Sequence, residues 1–228
     1  MAKIDDVRSS LIDCQNSIQA HFNDVAIGVP VDDELLEKRD EYFKWIKLKT
    51  SLIDSEKEFA LPFNALPNKI SEYVYNYLYQ EKRDIVDKYY RKEDGTGEFI
   101  INVNKMSVPP NEVETLIHSL LLRRGNVVWV NFGFNVGHEF SGKHPALILK
   151  NTKHTMVVIP LSSQMPNNPD INVKIDNVYG LPIKTRWGNI LRIVPISIVR
   201  IDFNSRIGSV KNGILKEISD KIKLHGIK

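Results

Sequence analysis

The chain has 228 residues, of which 42% are hydrophobic and 26% charged, and a formal net charge of +3 at pH 7. That is ordinary globular usage, in one large domain or two small ones, with enough chain to bury a core without disulfides or metals. One cysteine, Cys14, excludes a disulfide framework within the chain and a cysteine-rich zinc site. No apolar run is long enough to suggest a membrane-spanning helix. The opening stretch MAKIDDVRSSLIDCQ places acids where a signal peptide needs an apolar run, so the expected compartment is the cytoplasm.

The small net charge hides an uneven distribution. Residues 1–124 carry 17 Lys and Arg against 22 Asp and Glu, whereas residues 125–228 carry 14 against 6. A basic half of this kind suits contact with a polyanion such as nucleic acid. The plainer account is that helical surfaces carry more acids than sheets do, and charge alone leaves both open.

The first half has helical spacing. Ile4, Val7, Leu11, Cys14, Ile18 and His21 alternate steps of three and four, which predicts a coiled-coil-like seam. Gly28 and Pro30 end that pattern, and Asp32 and Asp33 open a second helix with apolar positions at Leu36, Phe43, Ile46, Ile53 and Phe59. A third helix is expected over about 68–91, displaying Tyr73, Tyr75, Tyr77, Tyr79, Tyr89 and Tyr90. Tyrosines in such a row can stack on bases, but packing with a wet hydroxyl is the commoner use. A loop over 92–97, a short strand over 99–103 and a helix over 111–122 complete this half.

The second half changes period. Apolar, β-rich runs at 127–131, 146–149, 156–160, 171–175, 189–193 and 196–201 are separated by turns rich in glycine and proline. Short strands at near-regular spacing predict a small, strongly bent barrel, and 214–224 an amphipathic helix closing it. The fold class is therefore α+β: a helical region over 1–123, then a barrel domain over 124–228 with a C-terminal helix.

One polar cluster stands out in the basic half. His138, Glu139, Ser141, Lys143 and His144 fall within seven residues between two predicted strands, and Ser162, Ser163 and Gln164 follow another strand at its exit. A loop at a strand end presents such groups on a rigid frame. An imidazole such as His144 exchanges protons near neutral pH, while Lys143, an arginine and the Ser162 hydroxyl can hold a phosphate. This set suits RNA strand scission by attack of the 2′-hydroxyl on the neighbouring phosphate, which requires neither metal nor cofactor. A solvated turn is the competing account, with Glu139 holding the loop by accepting backbone N–H groups.

The stretch from Gly125 to Leu149 resembles the MazF/PemK family of toxin endoribonucleases. The matching positions are Gly125, Trp129, Gly137, Glu139, Gly142, Pro145 and the apolar run that follows. Pro160-Leu161-Ser162-Ser163 matches the step that ends the family's next strand, and Val199-Arg200 through Arg206-Ile207 resembles its Ile-Arg strand and the arginine after it. The resemblance spans about 124–228 and leaves the first half unrecognised. It implies an SH3-like barrel, a homodimer, metal-independent cleavage of single-stranded RNA (often mRNA) at short sequences, and neutralisation by a cognate antitoxin, with no membrane partner. The family's catalytic arginine falls on His144 and its catalytic threonine or serine on Ser162. Lys143, Arg200, Ser163, Gln164 and His138 are then the phosphate- and RNA-binding candidates, and Gly137, Glu139 and Gly142 shape the loop. This chain departs from the pattern at His144 and at Phe140, which replaces the usual glutamine.

Two other functions fit the same barrel. A silent barrel would bind RNA or act as a scaffold without cutting. A CcdB-type gyrase poison would rely on a Trp-Gly-Ile terminus, whereas this chain ends His225-Gly226-Ile227-Lys228.

Overall fold

The computed structural model describes residues 9–20, 33–56, 59–102, 107–135 and 140–226. The chain divides into two compact units, Met1–Leu48 and Lys49–Lys228. No helix among the described residues is long and apolar enough to cross a membrane.

In the first unit, residues 9–20 are helical, and Leu11 and Cys14 of the expected seam are exposed. Ile4, Val7 and His21 lie outside the described residues. Helix α1 (Asp33–Ser55) begins as expected, with Asp33 and Glu34 in its first turn, where the helix dipole favours acids. The pairs Glu34–Lys38 and Asp40–Lys44 stand one turn apart on its surface, which adds a few tenths of a kcal/mol each. Helix α1 ends at Ser55, so Phe59 lies beyond it.

The second unit holds two sheets. The first is small, with antiparallel order β1-β3-β2, from β1 (Lys69–Ser71), β2 (Tyr90–Lys92) and β3 (Glu98–Ile101). The single helix expected over 68–91 is instead this β1, helix α2 (Glu72–Tyr77) and helix α3 (Gln80–Tyr89). The reason lies at Leu78 and Tyr79, both in extended backbone. Buried Leu78 turns inward, and Arg83 donates to the Leu78 and Asn76 carbonyls at 3.0 and 2.6 Å, satisfying acceptors that a continuous helix would have used. Tyr75 stacks on Phe99 and donates to Asp87, and Tyr89 and Tyr90 are buried, so these three are packing residues. Tyr73, Tyr77 and Tyr79 remain exposed. Helix α4 (Pro110–Leu116) starts with proline in its first turn and continues as a π-type turn over Ile117–Leu121.

The second sheet has seven strands. Its order is β10-β4-β5-β6-β8-β7, with β9 also paired to β6. The members are β4 (Asn126–Asn131), β5 (Lys143–Asn151), β6 (Thr155–Ser162), β7 (Asn172–Ile175), β8 (Arg186–Asn189), β9 (Val194–Ser197) and β10 (Gly208–Ser209). A bridge between Tyr179, just past β7, and Ser209 of β10 brings the two ends of the sheet together, with both N–H···O distances 2.9 Å. That closure needs glycine: a Cβ on Gly208 would stand 2.6 Å from Val178 Cγ1, and one on Gly180, where φ is +86°, 2.9 Å from the Ile207 carbonyl. Helix α5 (Asn212–Leu224) follows, as expected. The architecture is the α+β class read from the sequence, with helices first, a curled antiparallel barrel-like sheet and a C-terminal helix.

Alternate strand residues serve two cores. Val127, Leu147, Ile159 and Leu161 pack with Val173, Ile175, Ile190 and Ile218 of α5. Their neighbours Val128, Ala146, Ile148 and Val158 face the other way, against Val86, Tyr90, Phe99, Val113, Leu116 and Ile117. Both faces of the sheet are therefore buried, which is why its strands lack polar alternation. Asn126, itself buried, donates to the Leu120 and Leu121 carbonyls and ties the π-type turn to β4.

Candidate active site

The loop from β4 to β5 closes on a narrow neck. The Phe132 N–H donates to the Gly142 carbonyl at 2.9 Å and the Gly142 N–H to the Gly133 carbonyl at 2.7 Å. Asn135 staples the loop inside that neck: its N–H donates to Ser141 Oγ and its Nδ2 to the Phe140 carbonyl. Gly142 has φ +80°, and its missing Cβ leaves room 3.7 Å from Nε2 of His144. Gly137, His138 and Glu139 lie outside the described residues.

His144, the second residue of β5, is half-buried against Phe140, with ring centroids 4.4 Å apart. Burial lowers its pKa below the usual histidine value, and a hydrogen bond with the Ser141 backbone opposes the shift only in part. The imidazole is therefore neutral at pH 7, the form able to accept a proton. Ser162 ends β6, accepts from the Gln164 N–H at 3.1 Å and pairs in register with Trp187.

These residues meet in one cleft of about 420 Å³ at the end of β4, β5, β6 and β8. His144, Ser162, Ser163 and Gln164 line it together, and Trp129, Phe140, Pro145 and Leu161 form apolar wall. Two other candidates sit elsewhere. Lys143 is ion-paired with Asp202. Arg200 donates to the Phe132 carbonyl at 3.0 Å and lines a neighbouring groove of about 870 Å³. Trp129, expected in the core because it sits mid-strand, contributes wall to the cleft.

Three cations that sequence reasoning missed also line the cleft: Lys184, Arg186 and Arg192. Arg186 is only 6% exposed. Its Nη1 donates to the Pro182 and Lys184 carbonyls, and among the described residues no carboxylate pairs with it. Burial pulls its pKa down, although a guanidinium stays charged. A buried positive charge without an acid favours any anion that enters beside it. The only sequence signal was the pair of cations in Lys184-Thr185-Arg186, after the Pro182 turn.

A sequence profile described as "PemK-like, MazF-like toxin of type II toxin-antitoxin system" matches residues 123–225. Residues 123–225 are thus similar to PemK-like and MazF-like toxins. No curated protein matches the chain significantly. Among solved structures, MazF (Form-I) from Deinococcus radiodurans is similar at 21% identity, over 47% of this chain and 98% of that one, with a TM-score of 0.37. Toxin MazF-mt6 of Mycobacterium tuberculosis is similar at 15% identity, over 43% of this chain and 92% of that one, with a TM-score of 0.34. A MazE–MazF structure (Form-II) from Deinococcus radiodurans shares 21% identity over 46% of this chain and 95% of that one, with a TM-score of 0.35. The cleft with His144 and Ser162 lies within the matched residues 123–225.

Proposed function

We propose that the protein is the toxin of a type II toxin–antitoxin pair and a metal-independent endoribonuclease that cuts single-stranded RNA, mRNA included, at short sequences in the cytoplasm. Residues 124–228 are the catalytic domain and 1–123 its extension. The observation that carries this reading is the shared cleft in which a half-buried imidazole and a serine hydroxyl meet a buried arginine that has no acid partner among the described residues.

In this reaction His144 takes the proton of the RNA 2′-hydroxyl. The 2′-oxygen bonds to phosphorus as the P–O5′ bond breaks, and water protonates the departing 5′-oxygen. Arg186 and the Ser162 hydroxyl hold the phosphoryl oxygens as charge builds on them. Products end in a 2′,3′-cyclic phosphate and a 5′-hydroxyl. The protein acts as a homodimer, and a cognate antitoxin, acidic where it crosses the cleft, neutralises it. Incubating the purified chain with a mixed RNA pool in EDTA and mapping the ends tests this. Cyclic phosphate ends at a short recurring motif are expected. An intact pool, or cleavage undiminished in His144→Ala, overturns the assignment.

A further inference from the structure

The exposed tyrosines of α2 open onto a second groove, of about 860 Å³, away from the catalytic cleft. Tyr73 and Tyr77 are 63% and 68% exposed, and their rings stack on each other with centroids 6.4 Å apart. Tyr179, 44% exposed, belongs to the same groove. Three exposed tyrosines around one concavity are unusual, because tyrosine rings bury readily.

The same groove is strongly basic. Arg123 lies over the Tyr77 ring at 5.6 Å and Lys211 over Tyr179 at 5.8 Å. Arg124 and Lys223 line it as well, and Arg124 is held by Ser219 Oγ rather than by an acid. Its one acidic lining residue, Asp220, is already paired with Lys216. Rings beside cations along a groove are what a single nucleic-acid strand needs: bases stack on the rings and phosphates lie against the cations. The groove opens by Gly125 and Asn126, at the start of β4, whereas the cleft holds Trp129 further along it. At the rise of an extended strand that is roughly 13 Å, a span of a few nucleotides.

We infer that this groove is a second single-stranded RNA site, built jointly by the extension (Tyr73, Tyr77, Arg123) and the catalytic domain (Arg124, Lys211, Tyr179), which holds the substrate strand beyond the cut. The role as substrate holder rests on the endoribonuclease reading; binding of RNA in the groove does not. The groove also gives the N-terminal extension a part in function.

The test uses the full chain and a fluorescein-labelled 2′-O-methyl RNA 20-mer of mixed sequence, which lacks the attacking hydroxyl and so reports binding alone. The double variant Tyr73→Ala/Tyr77→Ala weakens binding about tenfold or more, as loss of stacked bases does. Arg124→Gln/Lys211→Gln lowers the slope of log K against log[salt] by roughly 1.4, about 0.7 for each cation on a single strand. Tyr79→Ala, a still more exposed tyrosine outside the groove, leaves binding unchanged. All these side chains are at the surface, and circular dichroism checks each fold. If the wild type cuts no RNA but the tyrosine variant still loses binding, the catalytic reading fails and the groove stands. If the double tyrosine variant binds like wild type, or loses only an acidic 20-residue peptide while RNA binding holds, the groove assignment is overturned.

Discussion

The ammonium of Lys143 is ion-paired with the carboxylate of Asp202, while the imidazole of the next residue, His144, lines the cleft. Successive residues of a strand face opposite ways, so the two side chains leave β5 on opposite sides, and Lys143 lies over the Trp129 ring at 5.9 Å while it pairs with Asp202. Burial pushes the Asp202 carboxyl up, but Lys143, the Ser205 hydroxyl and the Asn204 N–H together hold it below its ordinary value. The pair is partly exposed, so Lys143→Ala is expected to cost no more than about 1 kcal/mol of stability. Arg186→Lys, which keeps the charge and loses the guanidinium fork, is expected to lower kcat by roughly 10²-fold, by analogy with loss of a preorganised donor. Parallel kinetics and thermal melts of the two variants check this. A larger kcat loss from Lys143→Ala than from Arg186→Lys would reverse the assignment.

On the proposed mechanism, His144 sets the pH dependence. Its folded pKa is depressed by burial, so the base form persists below the usual histidine range. The acidic limb of kcat/KM against pH is therefore expected below 6.5, the ordinary value. His144→Ala is expected to lower kcat by about 10²–10⁴-fold, as loss of a general base does, and to remove that limb. A limb at or above 6.5, or one that survives in the variant, would assign the titration to another group.

The same depressed values have a stability consequence. Burial also lowers the pKa of His118, whose Nδ1 lies 2.9 Å from Asn151 Nδ2. For both histidines the unfolded chain binds the proton more readily than the folded one. Their contribution is fully present above the unfolded value of about 6.5 and is lost as pH falls from there through the folded values. Tm is expected to fall between about pH 7 and about pH 5, and His118→Gln to flatten part of that fall. A Tm that rises on acidification over this range would contradict the sign.

The central barrel strands were legible because both of their faces are apolar, and the runs 127–131, 146–149 and 156–160 fall inside β4, β5 and β6, whereas the runs expected as strands over 189–193 and 196–201 fall largely on the 3-10 turns Ile190–Arg192 and Ile198–Arg200. The small sheet was not legible, since strands of three or four residues carry too little period to separate from helix, and the break at Leu78 depends on Arg83 reaching back to two carbonyls. At the site, His144 and Ser162 could be read from residue type and order. Arg186 could not, because its significance lies in being buried without an acid among the described residues, a property of the fold.

Sheet closure depends on Gly208. A methyl there meets Val178 Cγ1 at 2.6 Å and both Leu181 Cγ and the Tyr179 carbonyl at 2.9 Å. Backbone cannot give way as a side-chain tip does, so Gly208→Ala is expected to destabilise by about 1–3 kcal/mol. For a chain of this size that is a Tm drop of roughly 2–12 °C. Gly213→Ala is the control, since its Cβ would meet nothing within 4 Å. Equal melts for the two variants would show that the closure tolerates a side chain at Gly208.

The outer face of the barrel sheet decides how far the chain can be shortened. Val128, Val130, Ile148, Met156 and Val158 are fully buried there, in one cluster with Val86, Leu116 and Ile117 from before residue 123. Baring side chains of this size forfeits about 1.5–3 kcal/mol each. Five of them together approach or exceed the usual 5–15 kcal/mol of a whole domain. A chain beginning at residue 123 is therefore expected to aggregate or remain unfolded, although it contains every residue of the matched domain. A chain beginning at residue 49 keeps the whole second unit and is expected to fold. Size-exclusion chromatography and thermal melts of the two truncations decide the point. A soluble 123–228 fragment melting cooperatively near the full-length Tm would show that the barrel does not need its cover.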